Sequence, residues 1–65
     1  MTQKEIFNRI EEISVNKRDD EKAHSMEDSL YADFIAFVAE RDDELGVMAK
    51  MVLTTKELDF ARWYA

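Results

Sequence analysis

The chain has no cysteine, no proline and a single glycine. Without cysteine there is no disulfide staple and no thiolate metal site. His24 is the one histidine, so no His-rich pattern offers structural zinc either. Without proline, and with Gly46 alone, only capping chemistry interrupts a helix, and this favours an all-helical fold. One glycine also excludes a Gly-rich phosphate loop. With no cysteine nucleophile and one histidine, the chain alone is not expected to be an enzyme. Basic clusters are missing as well. Asp19 to Glu44 holds ten acidic residues against Lys22 and Arg41, within a formal net charge of −6. That balance disfavours direct nucleic-acid binding, which needs clustered Lys and Arg. No basic, apolar and small-residue start marks a secretory signal. The longest apolar run, Phe34 to Ala39, is too short to cross a bilayer. The cytosol is the expected location, with no membrane partner.

What is present points to one small domain over residues 1–65. A hydrophobic content of 46% argues against disorder. A chain this short without staples is near the lower limit of stability, so self-association as a dimer is expected. The pattern predicts a compact all-α bundle of three to four helices, at about 2–15, 20–40, 43–53 and 55–64.

Thr2 and Glu5 have capping-box spacing at the start of the first helix, and Ile6, Phe7, Ile10 and Ile13 make its stripe. The polar stretch from Asn16 to Asp19 breaks the chain. Asp19 is preferred over Ser25 as the next cap, because Ala23 then joins the inward face. The longest helix follows. Met26, Leu30, Tyr31, Phe34, Ile35, Phe37 and Val38 share one half of its cylinder, and Ser29, Asp33 and Glu40 the other. Asp42 or Asp43 caps the third helix. Leu45, Met48, Ala49, Val52 and Leu53 form its stripe, with Val47 and Met51 off it. Gly46 costs about 1 kcal/mol in a helix interior and so suggests a close contact. Thr54 and Glu57 read as the start of a fourth helix. Leu58, Phe60, Ala61, Trp63 and Tyr64 leave that helix apolar almost all round, so it should be covered by the others or by a second molecule.

Three groups of residues could carry chemistry. Asp20, His24 and Glu27 stand in a column, and a histidine with two carboxylates in reach can hold a divalent metal or act as a base. The alternative is a polar core network in which Arg62 neutralises Glu27, and this carries more weight, because structural ion pairs often mimic sites. No cofactor is expected. Phe60, Trp63 and Tyr64 with Arg62 allow core filling, an interface or stacking on a nucleobase. Val47 and Met51 extend the interface reading. Asp42, Asp43 and Glu44 belong to a solvated acidic face, or to a surface that imitates phosphates and blocks a basic groove. The last two helices have a helix-turn-helix look, but the second is too apolar to read DNA.

AHSMEDSLYADFI, Ala23 to Ile35, and the closing KELDFARWYA, Lys56 to Ala65, resemble small accessory proteins of tailed phages and prophages. The matched positions are His24, Glu27, Asp28, Leu58, Asp59, Phe60, Arg62 and Trp63. The resemblance covers roughly the last two thirds of the chain. The first helix has no counterpart in it. It implies a setting, the cytoplasm of an infected or lysogenic bacterium, and no established activity. The combined expectation is a non-catalytic accessory or early regulatory protein that binds and modulates a host bacterial protein. A small-ligand or metal module using His24, Glu27 and Arg62 is the alternative, as is the acidic mimic.

Overall fold

In the computed structural model, residues 1–62 are described, and Trp63, Tyr64 and Ala65 lie outside the described residues. The fold is all-α. Helix α1 spans Gln3–Val15, α2 Asp20–Val38 and α3 Glu44–Leu53, followed by a 3-10 turn, η1, at Thr54–Glu57. There are no strands among the described residues.

Each helix starts on a side-chain cap. Thr2 is extended and its hydroxyl accepts from the Glu5 amide at 3.2 Å. Asp19 accepts from the Lys22 amide at 3.1 Å, which places the start of α2 at the earlier of the two expected caps. Asp43, fully extended, accepts from the Gly46 amide at 3.0 Å. All three satisfy amides that a helix start leaves without an intrahelical acceptor. Asn16 closes α1: its side-chain amide donates to the Glu12 carbonyl at 2.8 Å, and its backbone then accepts from Asp19. This short, polar connection turns α2 antiparallel to α1.

The fourth helix expected at 55–64 is, among the described residues, only the single turn η1. Thr54 explains the difference. A helix start needs an extended residue whose hydroxyl accepts. Thr54 is helical instead, at φ −64 and ψ −17, and its hydroxyl donates back to the Met51 carbonyl at 2.6 Å. It therefore ends α3, and the chain runs on through η1 until Leu58 turns extended at ψ 134. The turn meets α3 and does not reach α2. The expected docking of a terminal helix on the Asp20–Glu40 segment is thus absent among the described residues.

Helix α2 sits in the middle, with α1 on one flank and α3 on the other, and α1 and α3 do not touch. The α2–α3 contact is made by small residues. Ala39, Gly46 and Ala49 are buried there, and Leu30 is the buried large side chain of α2. The place of Gly46 in a helix suggested a close contact with another helix, and the close approach at Gly46 is instead to the turn that precedes α3. A Cβ there would fall 2.0 Å from the Arg41 carbonyl oxygen. The intruding group is backbone from the turn before α3.

The Cα atoms fill a slab of 39 × 33 × 9 Å. Two stacked layers of helices would need roughly 13 Å, from the usual interaxial distance and helix radius. The radius of gyration is 13.6 Å, against about 11 Å for a compact domain of this length. The bundle is therefore one helix thick, and more open than the compact form expected. Most of the apolar half of α2 is uncovered: Tyr31, Phe34 and Phe37 are exposed, while Met26, Ile35 and Val38 are half-buried.

In an ordinary helix interior Gly46→Ala would stabilise by about 1 kcal/mol. Here the sign should reverse. The turn must move off the new methyl group, and a loss of about 1–3 kcal/mol is expected from overpacking. Chemical denaturation of the two proteins checks this, and a gain in stability for the alanine variant would refute the close approach.

Candidate functional site

The column of Asp20, His24 and Glu27 forms on α2, since the helix begins at Asp20. Asp20 is exposed, and His24 and Glu27 are half-buried. His24 Nε2 lies 3.6 Å from the carboxylate of Asp28, one turn on, an ion-pair distance rather than a hydrogen bond. Glu27 instead stands beside Tyr31, and its negative charge pushes the phenol's pKa up. Among the described residues, no group of three His, Asp or Glu side chains converges as metal ligands would.

Arg62, which was to neutralise Glu27, acts elsewhere. Its guanidinium donates to the carbonyls of Thr55 at 2.8 Å, Leu58 at 3.3 Å and Phe60 at 3.3 Å. It also stacks 3.8 Å over the Phe60 ring. The cation thus sits at the carbonyl end of η1, where the backbone dipoles favour positive charge, and it hooks the tail onto that turn. The structure does not bring it to the Asp20, His24 and Glu27 column. A core network with Arg62 as counter-ion is therefore corrected to a local tail clasp. Trp63 and Tyr64, from the same aromatic group, lie outside the described residues. Phe60 is exposed, and its recorded partner is Arg62.

The acidic face divides. Asp42 and Glu44 are exposed. Asp43 is committed to the fold. Arg41 grips it through Nε, at 3.2 and 2.9 Å to the two carboxylate oxygens, with Nη2 closing a fork. The same carboxylate caps α3 through Gly46. Arg41 first, and the Gly46 amide second, hold the Asp43 carboxyl below the usual carboxylate range, and the Arg41 pKa rises in return. A surface that mimics phosphates would have to do without this residue.

One tie was not anticipated. Arg9 Nη1 lies 2.8 Å from Asp33 Oδ2 and bridges α1 to α2. Both residues lie off the apolar stripes of their helices. Charge-bearing side chains at the flank of a stripe are the available signal, and it is shared by many pairs that never meet. Such an exposed pair contributes about 0–1 kcal/mol, so it sets register more than stability.

The interface candidates Val47 and Met51 are exposed, Met51 at 66%. On α3 the buried residues Gly46 and Ala49 face α2, Leu45, Met48 and Val52 lie on one side of that contact, Val47 on the other, and Met51 at the outer edge next to Met48. The first three, with Phe34, Ile35 and Val38, line an open trough between α2 and α3 that has no charged residue in its wall. Sequence reading assigned Leu45, Met48 and Val52 to a buried stripe, and they are instead about half exposed. No helix among the described residues is long and apolar enough to cross a membrane.

No family model matches the chain, and no curated protein or solved structure matches it.

The depressed Asp43 pKa has a direct consequence for stability against pH. The folded state favours the ionised form, so its contribution is fully present above the ordinary carboxylate range, about pH 4, and is lost as pH falls through the lowered value. Asp43→Asn keeps a capping oxygen and loses the charge. At neutral pH it should melt below the wild type, and the gap should close in acid. A gap that stays constant down to strongly acidic pH would show that the charge on Asp43 adds nothing.

Proposed function

We propose that this is a non-catalytic interaction protein that acts by binding and modulating another protein. The single observation that carries this reading is the amount of large apolar surface left open on both sides of a one-layer fold. Phe34, Leu45, Met48 and Val52 are open on one side of the α2–α3 contact, Val47 on the other, and Met51 at the outer edge of α3. Isolated exposed apolar side chains are ordinary, whereas contiguous ones mark association surfaces. A small domain that presents such a surface is suited to occupying a partner.

The setting belongs to the same proposal. The resemblance of the Ala23–Ile35 and Lys56–Ala65 stretches to phage and prophage accessory proteins supports a host bacterial protein as partner and the bacterial cytoplasm as location. Val47 and Met51 are the proposed partner-facing residues, with Phe60 nearby in sequence on the clasped tail. Such a surface works through apolar burial, so the binding is only weakly sensitive to salt.

The ligand alternative needs His24, Glu27 and Arg62 in one place, and Arg62 is engaged with η1 and Phe60. The phosphate-mimic alternative retains Asp42 and Glu44 but spends Asp43 on the turn.

Affinity capture from bacterial lysate distinguishes these readings. The full chain should retain a discrete protein at both low and high salt. Met51→Asp should abolish the retention, and the pair Asp42→Asn and Glu44→Gln should leave it intact. Capture that salt removes, and that the Asp42 and Glu44 changes weaken while Met51→Asp does not, would replace this reading with the acidic mimic.

A further inference from the structure

Domains are built from at least two packed layers around a core, because a helix buries its apolar stripe only against another element. This chain supplies one layer. We infer that the second layer is a second copy of the same chain, packed face to face over the α2–α3 trough. The inference rests on the reading that the open apolar surface is an association surface, and it names what occupies one side of it.

Area supports a second copy. A folded monomer of 7.7 kDa has an accessible surface of about 4,300 Å² by the usual scaling. This chain has 5524 Å², roughly 1,200 Å² more than that scaling. A standard specific interface takes about 800 Å² from each partner. The excess covers that and leaves a remainder for the extended tail after η1. Two copies that each bury that share would remove about 1,600 Å² together, the size of a standard specific interface.

The trough also suits its own copy. Phe34, Val38, Leu45, Met48 and Val52 line it, with Ala49 at its floor. The Phe34 and Phe37 rings stand 6.4 Å apart at one edge, a tilted aromatic pair wide enough to form a ridge. Ridge beside trough is the relief that a two-fold axis makes self-complementary, since each surface offers what the other needs. Helix phase brings α1 into the same face. Because α1 runs antiparallel to α2, Phe7 and Ile10 turn to the side on which Phe34 lies, and both are exposed.

Charge is compatible with this pairing and opposes the reverse one. The trough wall has no charged side chain. Ser25, Ser29 and Asp33 fall on the other arc of α2, so face-to-face packing leaves Asp33 at the outside, while Glu27 and Asp28, in phase with Phe34 and Ile35, stand beyond the N-terminal rim of the trough. Each chain carries −6, so the dimer repels itself at long range, and added salt should tighten it. Val47 and Met51 stay on the outer side, free for the partner proposed above.

The mass of the full chain in solution, measured by sedimentation over a wide concentration range, tests the inference. Twice the chain mass is expected, with a melting temperature that rises with concentration. Val52→Asp should halve the mass, and Val47→Asp, on the far side of the same helix, should leave it at the dimer value. Because Val52→Asp could also unfold a chain that shares its core, Met48→Cys provides a second readout. The chain has no other cysteine, so mild oxidation should link the copies through the trough, and Val47→Cys should link them far less. A wild type of monomer mass with a concentration-independent melting temperature would overturn the inference. So would a dimer that Val47→Asp dissociates and Val52→Asp does not. A monomer that still captures a host protein through Met51 would sink the second copy and leave the proposed function standing.

Discussion

The carboxylate of Asp43 carries the reversal between α2 and α3. It accepts from the Arg41 guanidinium on one side and from the first turn of α3 on the other. That double engagement folds the turn tightly, and the Arg41 carbonyl is drawn against the start of α3. Only glycine leaves room for it at position 46. With the turn so closed, Ala39, Gly46 and Ala49 meet in the buried contact between the two helices. Remove the carboxylate, and the cap, the fork and the close approach all lose their anchor.

The small residues at that contact have a second effect. A helix that packs through Gly and Ala presents its larger side chains beside the contact, on either side of it. Leu45, Met48 and Val52 are left on one side, Val47 on the other, and Met51 on the outer edge. The contact holds α3 in the plane of α2 without covering either face. Helix α1 behaves similarly on the far flank. Ile6, Arg9 and Ile13 are half-buried, while Phe7 and Ile10 are open. A slab of this kind has little interior of its own, and most of its apolar free energy of burial is still available for association.

Electrostatics arranges the ends and edges. Arg9 and Asp33 fix how α1 lies along α2. Arg62 binds carbonyls at the end of η1 and covers the Phe60 ring. His24 and Asp28 stand one turn apart on an otherwise acidic stretch. Each of these contacts is exposed or half-exposed, so each positions the chain more than it stabilises it. The acidic excess that remains keeps the outer arc of α2 wet.

Three helices, their caps at Thr2 and Asp19, a third cap at Asp42 or Asp43, and their apolar periodicity were legible along the chain, because capping and periodicity involve residues within a few positions of one another. The tertiary structure decided the rest. Thr54 has the spacing of a helix start, yet its hydroxyl was already turned to Met51, and only the conformation of the preceding turn determines which way it faces. Arg62 had several acids it could have met, and its choice of backbone carbonyls depends on where the tail runs. The apolar stripe of α3 announced a buried face, but burial depends on how near α2 comes and at what angle. Those distances are set by Gly46 and the turn behind it, and no periodicity along one helix encodes its separation from the next.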